Sequence, residues 1–334
     1  MWHVGIDLHR LFIVIAAVHD NGKIMDPVRI ACSETEELVK AVRALGRFRA
    51  VIEACGTYRW LYDLLSPHGT VLLAHPLRLR AMVQRRTKTD KLDAQLLANL
   101  LRINQIPLAY IPPEPYQRLR DVVRCRACLS RELAEIKIQL RAILARQNRQ
   151  APFRVPFGIR GLAWFSRQDF GPIENLVRDE LLARMTHFSR QIALFDRHIA
   201  EMAHGFPQSE ALLDIHGIGL FSALLIVAEL GEVERFRTAK QVGAYTGLTS
   251  RVHQSGGHCY QGSITRQGSP WLRWILVQAA MKAIRDDVAL KNFYTRVRKR
   301  SGAKKARVAA ARKLAEICWK RLRHWHRAQG EQAA

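Results

Sequence analysis

Near residue 116 the spacing of apolar residues changes from two to about three and a half. One packing layer cannot satisfy both periods, so the chain must build two kinds of structure. Before the change, short apolar runs alternate with helical segments. "HVGID" (3–7), "LFIVIAAV" (11–18), "IMDPVRIAC" (24–32), "RAVIEA" (49–54) and "TVLLAHP" (70–76) read as strands. "DNGK" (20–23) is a hairpin turn, and Pro27 marks the third strand as a sheet edge. "SETEELVKAVRAL" (33–45) reads as a helix opened by a capping box from Ser33 to Glu36, and "YRWLYDLL" (58–65) as another helix. After the change, positions 119, 122, 126, 129, 133, 136, 140 and 143 form one seam, apolar except at Arg126. Leu181, Met185, Phe188, Ile192, Phe195, Ile199 and Met202 form a second. A segment rich in Pro and Gly, "APFRVPFGIRGLAWFSRQDFGP" (151–172), separates them. Two arrangements satisfy the seams: an antiparallel hairpin within one chain, or a coiled-coil contact between copies.

Charge narrows the function. Across 334 residues, 53 Lys and Arg face 29 Asp and Glu, a formal net charge of +24. A field of that sign favours a polyanion, either nucleic acid or an anionic membrane. No apolar run approaches a membrane span, the first residues "MWHVGIDLHR" do not read as a signal peptide, and the charge is spread along the chain, so nucleic acid is favoured. Six scattered cysteines fit a reduced, cytosolic protein. Cys125 and Cys128 have one half of a zinc-site spacing, but they lie within a helical pattern and lack a second pair.

Against that basic background four acids stand out. The order βββ-α-β-α-β-α is that of a ribonuclease-H-like domain with a mixed sheet. Asp7 ends the first strand and Glu53 the strand "AVIE", and in such a domain those strands are neighbours. "TKTDKLDAQLL" (87–97) begins a helix in which Asp90 and Asp93 share a face. Four carboxylates around one spot cannot all stay ionised without a cation, and oxygen-only ligation points to Mg2+ or Mn2+. Two such ions clamp the attacking and leaving oxygens of a phosphodiester. Arg85, Arg86, Lys88 and Lys91 beside the pair suit a polyanionic substrate. Taken singly, Asp7 also reads as a turn residue and Asp90 as a helix cap.

In the last third, "IHGIG" (215–219) between apolar helices reads as a helix-hairpin-helix, with Gly217 and Gly219 letting backbone N–H groups approach a DNA phosphate. "GLTSRVHQSGGHCYQGSITRQGSPWLR" (247–273) reads as a flexible Ser/Gly loop. It offers Ser255 before Gly256 and Gly257 as a nucleophile, with Ser250, Ser263 and Ser269 as rivals. His253, His258, Arg266 and Arg273 are available to hold phosphate oxygens. A helix from about Pro270 to Ile284, the basic tail "RVRKRSGAKKARVAAARK" and a final amphipathic helix "AEICWKRLRHWH" follow.

These motifs together resemble the DEDD-type insertion-sequence transposases, the IS-one-ten family, over nearly the whole chain. "GIDLHR", "IEACGTY" and "TKTDKLDA" match the family's acidic motifs, which assigns Asp7, Glu53, Asp90 and Asp93 to the metal. "IHGIG", "YTGLTSRVHQSGGH" and "GSITRQGSPWLR" match its C-terminal domain and place the family's nucleophilic serine on Ser255. Cys55 for Thr, His75 for Asn, Ser250 for Pro and Gln254 for a second serine depart from the pattern, none at the five key positions. The resemblance implies a RuvC-like catalytic domain (1–110), a coiled-coil arm (111–206) and a mainly helical C-terminal domain with the helix-hairpin-helix and the serine (207–334). It also implies a composite site between the RuvC-like and serine domains, a covalent phosphoserine link to donor and target DNA, a structured noncoding guide RNA, and a dimer that assembles to a tetramer. Two other readings stay open: a junction-resolving endonuclease that hydrolyses with the acids alone, and a non-catalytic nucleic-acid-binding protein.

Overall fold

The computed structural model describes residues 1–82, 89–256 and 258–333, and for Ser255, His258, Gln261, Gln332 and Ala333 the backbone alone. The chain divides into two compact units, Met1–Ile111 and Pro112–Ala334.

The first unit is a five-stranded mixed sheet with helices on both faces, consistent with a RuvC-like transposase fold. Strands β1 (Trp2–Leu8), β2 (Phe12–His19) and β3 (Ile24–Ala31) form an antiparallel meander. Helix α1 (Thr35–Arg43) leads to β4 (Phe48–Glu53), and α2 (Tyr58–Leu65) leads to β5 (Thr70–Ala74). β4 runs parallel to β1, and β5 parallel to β4. The spatial order is β3-β2-β1-β4-β5, so the strand carrying Pro27 is at an edge, where a missing N–H donor is tolerated. Helices α3 (Pro76–Met82) and α4 (Asp90–Arg102) complete the unit.

Alternation along the strands sorts their side chains into two cores. Val4, Ile6, Ala50 and Ile52 pack with Leu38, Val42, Leu61 and Leu65 of α1 and α2. On the other face, Val51 packs with Leu97 and Leu101 of α4, and Val14 and Ala16 with Ala94. Gly5 lies on this second face. A Cβ there would sit 2.0 Å from the Ala94 carbonyl oxygen and 2.5 Å from the Ala98 nitrogen. The missing side chain lets α4 rest directly on β1.

The capping box expected at Ser33 does not form. Helix α1 starts at Thr35 with Glu34 as N-cap, and the Glu34 carboxylate instead accepts from the Ala31 N–H at 3.1 Å. The turn after β3 uses up two residues before the chain is free to become helical.

The second unit is mainly helical. Helix α5 (Glu114–Arg146) and α7 (Pro172–Ala203) pack together within the chain, joined through α6 (Ile159–Ser166). Ile136, Leu140 and Ile143 meet Leu181 and Met185 around Phe165 and Phe170, while Arg126 meets Asp196, so the pair is antiparallel. Arg126, the break in the first seam, gives Asp196 two hydrogen bonds of 2.8 and 3.0 Å. Its guanidinium also lies 4.2 Å over the Phe221 ring. The seam is polar there because the hairpin meets the helical body at that point. α5 is fastened by Arg120, which donates to the carbonyls of Ala228 and Glu229, and by Arg124, which grips the buried Glu229 carboxylate at 2.6 and 3.0 Å.

The body comprises α8 (Leu220–Leu230), α9 (Ala239–Tyr245), α10 (Pro270–Ala283) and α11 (Val288–Ala333), which share one large core with the base of the hairpin. The basic tail is helical and belongs to α11, broken only where Gly302 takes φ 82°. The apolar segment before "IHGIG" is a short 3-10 helix, Pro207–Leu212, rather than an α-helix. Residues 247–273 correct the expected flexible loop: they contain an antiparallel hairpin, β6 (Ser250–Ser255) and β7 (His258–Ile264). The alternation "SRVHQS" and "HCYQGSI" around two glycines is a strand pattern masked by its Ser/Gly composition.

Candidate active site

The carboxylates gather at the end of β1. β1 and β4 pair in parallel with Ile6 opposite Ile52, so Asp7 and Glu53, one residue further on, are level on adjacent strands. Parity puts Asp7 on the face of Gly5, and Glu53 on the face of Val51, the face α4 covers. In α4 the buried stripe is Ala94, Leu97, Ala98 and Leu101, and Asp90 and Asp93 extend it by one turn toward the strand ends. Asp90 is not the cap of its helix. Thr89 is, and its hydroxyl accepts from the Leu92 N–H at 3.4 Å, which leaves the Asp90 carboxylate to other partners.

One of those partners is a residue that sequence reasoning passed over. His9 Nε2 lies 3.1 Å from Asp7 Oδ2 and 3.3 Å from Asp90 Oδ1. Among the described residues, Asp7, His9 and Asp90 are the one group of three His, Cys, Asp or Glu side chains placed to share a metal ion, with ligand atoms all within 4.8 Å. Glu53 and Asp93 fall outside that tight group. Asp93 still acts on it. Burial pushes the Asp7 carboxyl above its ordinary range, His9 opposes the shift, and the charges of Asp93 and Asp90 add to it. A half-buried carboxylate facing two more acids is what a bound cation relieves, so the donor set fits a divalent ion. "GIDLHR" places His9 two residues after Asp7, but β1 ends at Leu8, so strand alternation alone does not aim its side chain.

Of the basic residues expected near the pair, Lys91 is exposed on the first turn of α4, while Arg85, Arg86 and Lys88 lie outside the described residues. In the second unit, Gly217 takes φ +87°, and a Cβ there would meet Lys282 Cβ at 2.4 Å. Only glycine fits. Gly219 is the N-cap of α8, and its N–H is taken by Ser222 Oγ at 2.9 Å within the turn, so it is not the open phosphate donor expected. Ser255 closes β6, paired across the hairpin with His258, and Gly256 follows at φ +55°. Its rival Ser269 is committed as the N-cap of α10, accepting from the Leu272 N–H at 3.2 Å. Arg273 donates to the Gly268 carbonyl at 2.8 Å, and Arg266 is exposed nearby. Burial, with Arg266 adding to it, lowers the Arg273 pKa. Cys125 and Cys128 are free thiols along α5.

Comparison with known proteins gives this geometry a context. Residues 4–148 match a transposase model of the DEDD type, and residues 209–295 match the model described as Transposase IS116/IS110/IS902 family. A probable family 20 transposase of Pseudomonas aeruginosa is 25% identical over 95% of this chain and 95% of its own. The transposase for insertion sequence element IS1111A of Coxiella burnetii is 22% identical over 95% of this chain and 88% of its own. A pilin gene-inverting protein of Moraxella bovis is 26% identical over 82% and 79%. With its acidic strand ends inside one matched segment and its serine hairpin inside the other, the chain belongs to the IS110 family of insertion-sequence transposases, enzymes that act on DNA.

Proposed function

We propose that this transposase cleaves and exchanges DNA strands at a divalent-metal site built on Asp7, Glu53, Asp90 and Asp93, with Ser255 as the nucleophile. The observation that carries the metal half is the convergence of Asp7 and Asp90 with His9, their ligand atoms all within 4.8 Å, at the strand end that α4 caps. A bound Mg2+ or Mn2+ supplies Lewis acidity to a phosphate oxygen and charge for the departing one. Asp7 and Glu53 offer oxygen donors from the rigid sheet, and Asp90 and Asp93 from the first turn of α4. Lys91, with Arg85, Arg86 and Lys88 before it in the sequence, supplies positive charge for the DNA backbone.

Ser255 Oγ bonds to phosphorus as one deoxyribose oxygen leaves, and the proton the serine gives up ends on that departing oxygen. A second deoxyribose oxygen then attacks the phosphoserine and releases the serine, so phosphodiester bonds are conserved. The Moraxella relative is named for inverting a gene, and inversion needs strand exchange rather than hydrolysis, which favours this route over a junction-cutting nuclease. The +24 charge supports a second polyanionic partner, a structured noncoding RNA that selects donor and target by pairing. Exposed Ile138, Ile173 and Leu176 on the α5/α7 hairpin support assembly of copies through the arm. No helix among the described residues is long and apolar enough to cross a membrane.

The test is a covalent trap. Purified protein with supercoiled donor DNA, Mg2+ and the flanking noncoding RNA is denatured, digested and mapped for a phosphoserine–nucleotide adduct. An adduct at Ser255, lost in Ser255→Ala together with strand exchange, is expected. Cutting that continues in Ser255→Ala with no adduct in the parent would make the protein a hydrolytic nuclease.

A further inference from the structure

We propose that His9 is a further metal ligand of the acidic site, forming with Asp7 and Asp90 a mixed nitrogen–oxygen face that favours Mn2+ over Mg2+. The inference rests on the reading that the acids hold a divalent ion. Its first support is spacing. Two donors on adjacent corners of an octahedron with bonds of about 2.1 Å are about 3.0 Å apart. His9 Nε2 stands 3.1 Å from Asp7 Oδ2 and 3.3 Å from Asp90 Oδ1, close to that edge on both sides. The Asp7 and Asp90 ligand atoms lie within 4.8 Å of each other as well, so all three atoms face one small space.

The second support is that the imidazole is held in place. The His9 N–H donates to the Phe12 carbonyl at 3.0 Å, which closes the tight turn between β1 and β2. The Phe12 ring stacks on the imidazole with centroids 4.6 Å apart, and the Arg29 guanidinium lies 3.6 Å over Phe12. His9 is the first residue after β1, two along from Asp7, and its backbone bond to Phe12 fixes it at the strand end beside the acids. The stacked ring keeps one nitrogen aimed at both carboxylates, the placement a ligand needs before an ion arrives.

The consequence is selectivity. Mg2+ takes oxygen donors and resists dehydration, whereas first-row transition ions accept imidazole readily. A nitrogen donor therefore gives Mn2+ an advantage that four carboxylates alone would not. The rival role for His9 is a fixed counter-charge that bridges Asp7 and Asp90 until an ion replaces it.

The experiment uses the full-length protein with Mn2+ or Mg2+ alone. Bound Mn2+ is examined by pulsed electron paramagnetic resonance for hyperfine coupling to a directly bonded nitrogen, and affinities for both ions are measured by calorimetry. A nitrogen coupling is expected in the parent and not in His9→Ala. The same variant should bind Mn2+ about 10-fold more weakly, of the order of losses seen when a site's supporting histidine partners are removed, while Mg2+ affinity changes by less than about 3-fold. His9→Asn serves if the alanine variant does not fold. A parent spectrum without nitrogen coupling, or a coupling retained in the variants, would overturn the assignment and leave His9 as a counter-charge. Asp7→Ala separates the two levels: if Mn2+ still binds there as tightly as in the parent, the acidic site itself is wrong.

Discussion

The two halves of the proposed chemistry are built in opposite ways. Asp7 and Glu53 end strands of a five-stranded sheet, with apolar layers on both faces and α4 seated on the glycine of β1. Ser255 ends a two-stranded hairpin in which Arg251, Val252, His253 and Gln254 are all exposed. A two-stranded hairpin has little stability of its own, and this one puts few side chains into a core. The contrast fits the proposed tasks. Metal ligands must be held to within a fraction of an ångström before the ion arrives. A nucleophile that must reach a phosphate in a large nucleic-acid complex needs a projecting carrier more than a fixed one.

The comparison can be broken most forcefully at the reacting groups. Asp7→Ala with Asp93→Ala should lower strand cleavage by at least about 10^3-fold, several kcal/mol of lost charge stabilisation, and abolish Mn2+ binding in calorimetry. Ser255→Ala should lower strand exchange as severely yet leave Mn2+ binding unchanged. If both changes weaken metal binding alike, the division of labour is wrong.

The next effect is at Gly5. Its new Cβ in Gly5→Ala meets backbone atoms at 2.0 and 2.5 Å, so α4 must move away from β1. A destabilisation of about 1–3 kcal/mol in thermal unfolding is expected, with weakened metal affinity because Asp90 and Asp93 travel with the helix. Thr89→Ala removes the α4 cap and should cost about 1 kcal/mol, again with a loss of metal affinity visible in calorimetry. Smallest is Gly256→Ala. That residue sits at φ +55° in open space, so the strain of about 1 kcal/mol stays in the hairpin. The main unfolding transition should shift by less than about 0.5 kcal/mol while strand exchange falls. A shift as large as that of Gly5→Ala would show that the hairpin is as tightly integrated as the sheet.

How far the sequence could be read differed from element to element. The strand order was legible because period-two runs, a hairpin signal and an edge proline are local features. The seams of α5 and α7 were legible too, including their break, but that Arg126 answers Asp196 and Phe221 depends on which helices meet there. The β6/β7 hairpin was hidden because serine and glycine composition outweighed a weak alternation. The expected box at Ser33 failed because a sequence motif does not say where a preceding turn ends.

The sequence by itself determined that two architectures share this chain, that Asp7 and Glu53 each come at the end of an apolar strand run, and that Asp90 and Asp93 ride together on one helical face. Those are consequences of periods of two and 3.6 residues, which short stretches of chain express unaided. Only the tertiary structure decided that α4 lies against Gly5, that Thr89 frees Asp90 from capping, and that His9 joins the acids. Each depends on contacts between residues distant in the chain, where a missing side chain or a stacked ring sets distances that no local pattern encodes.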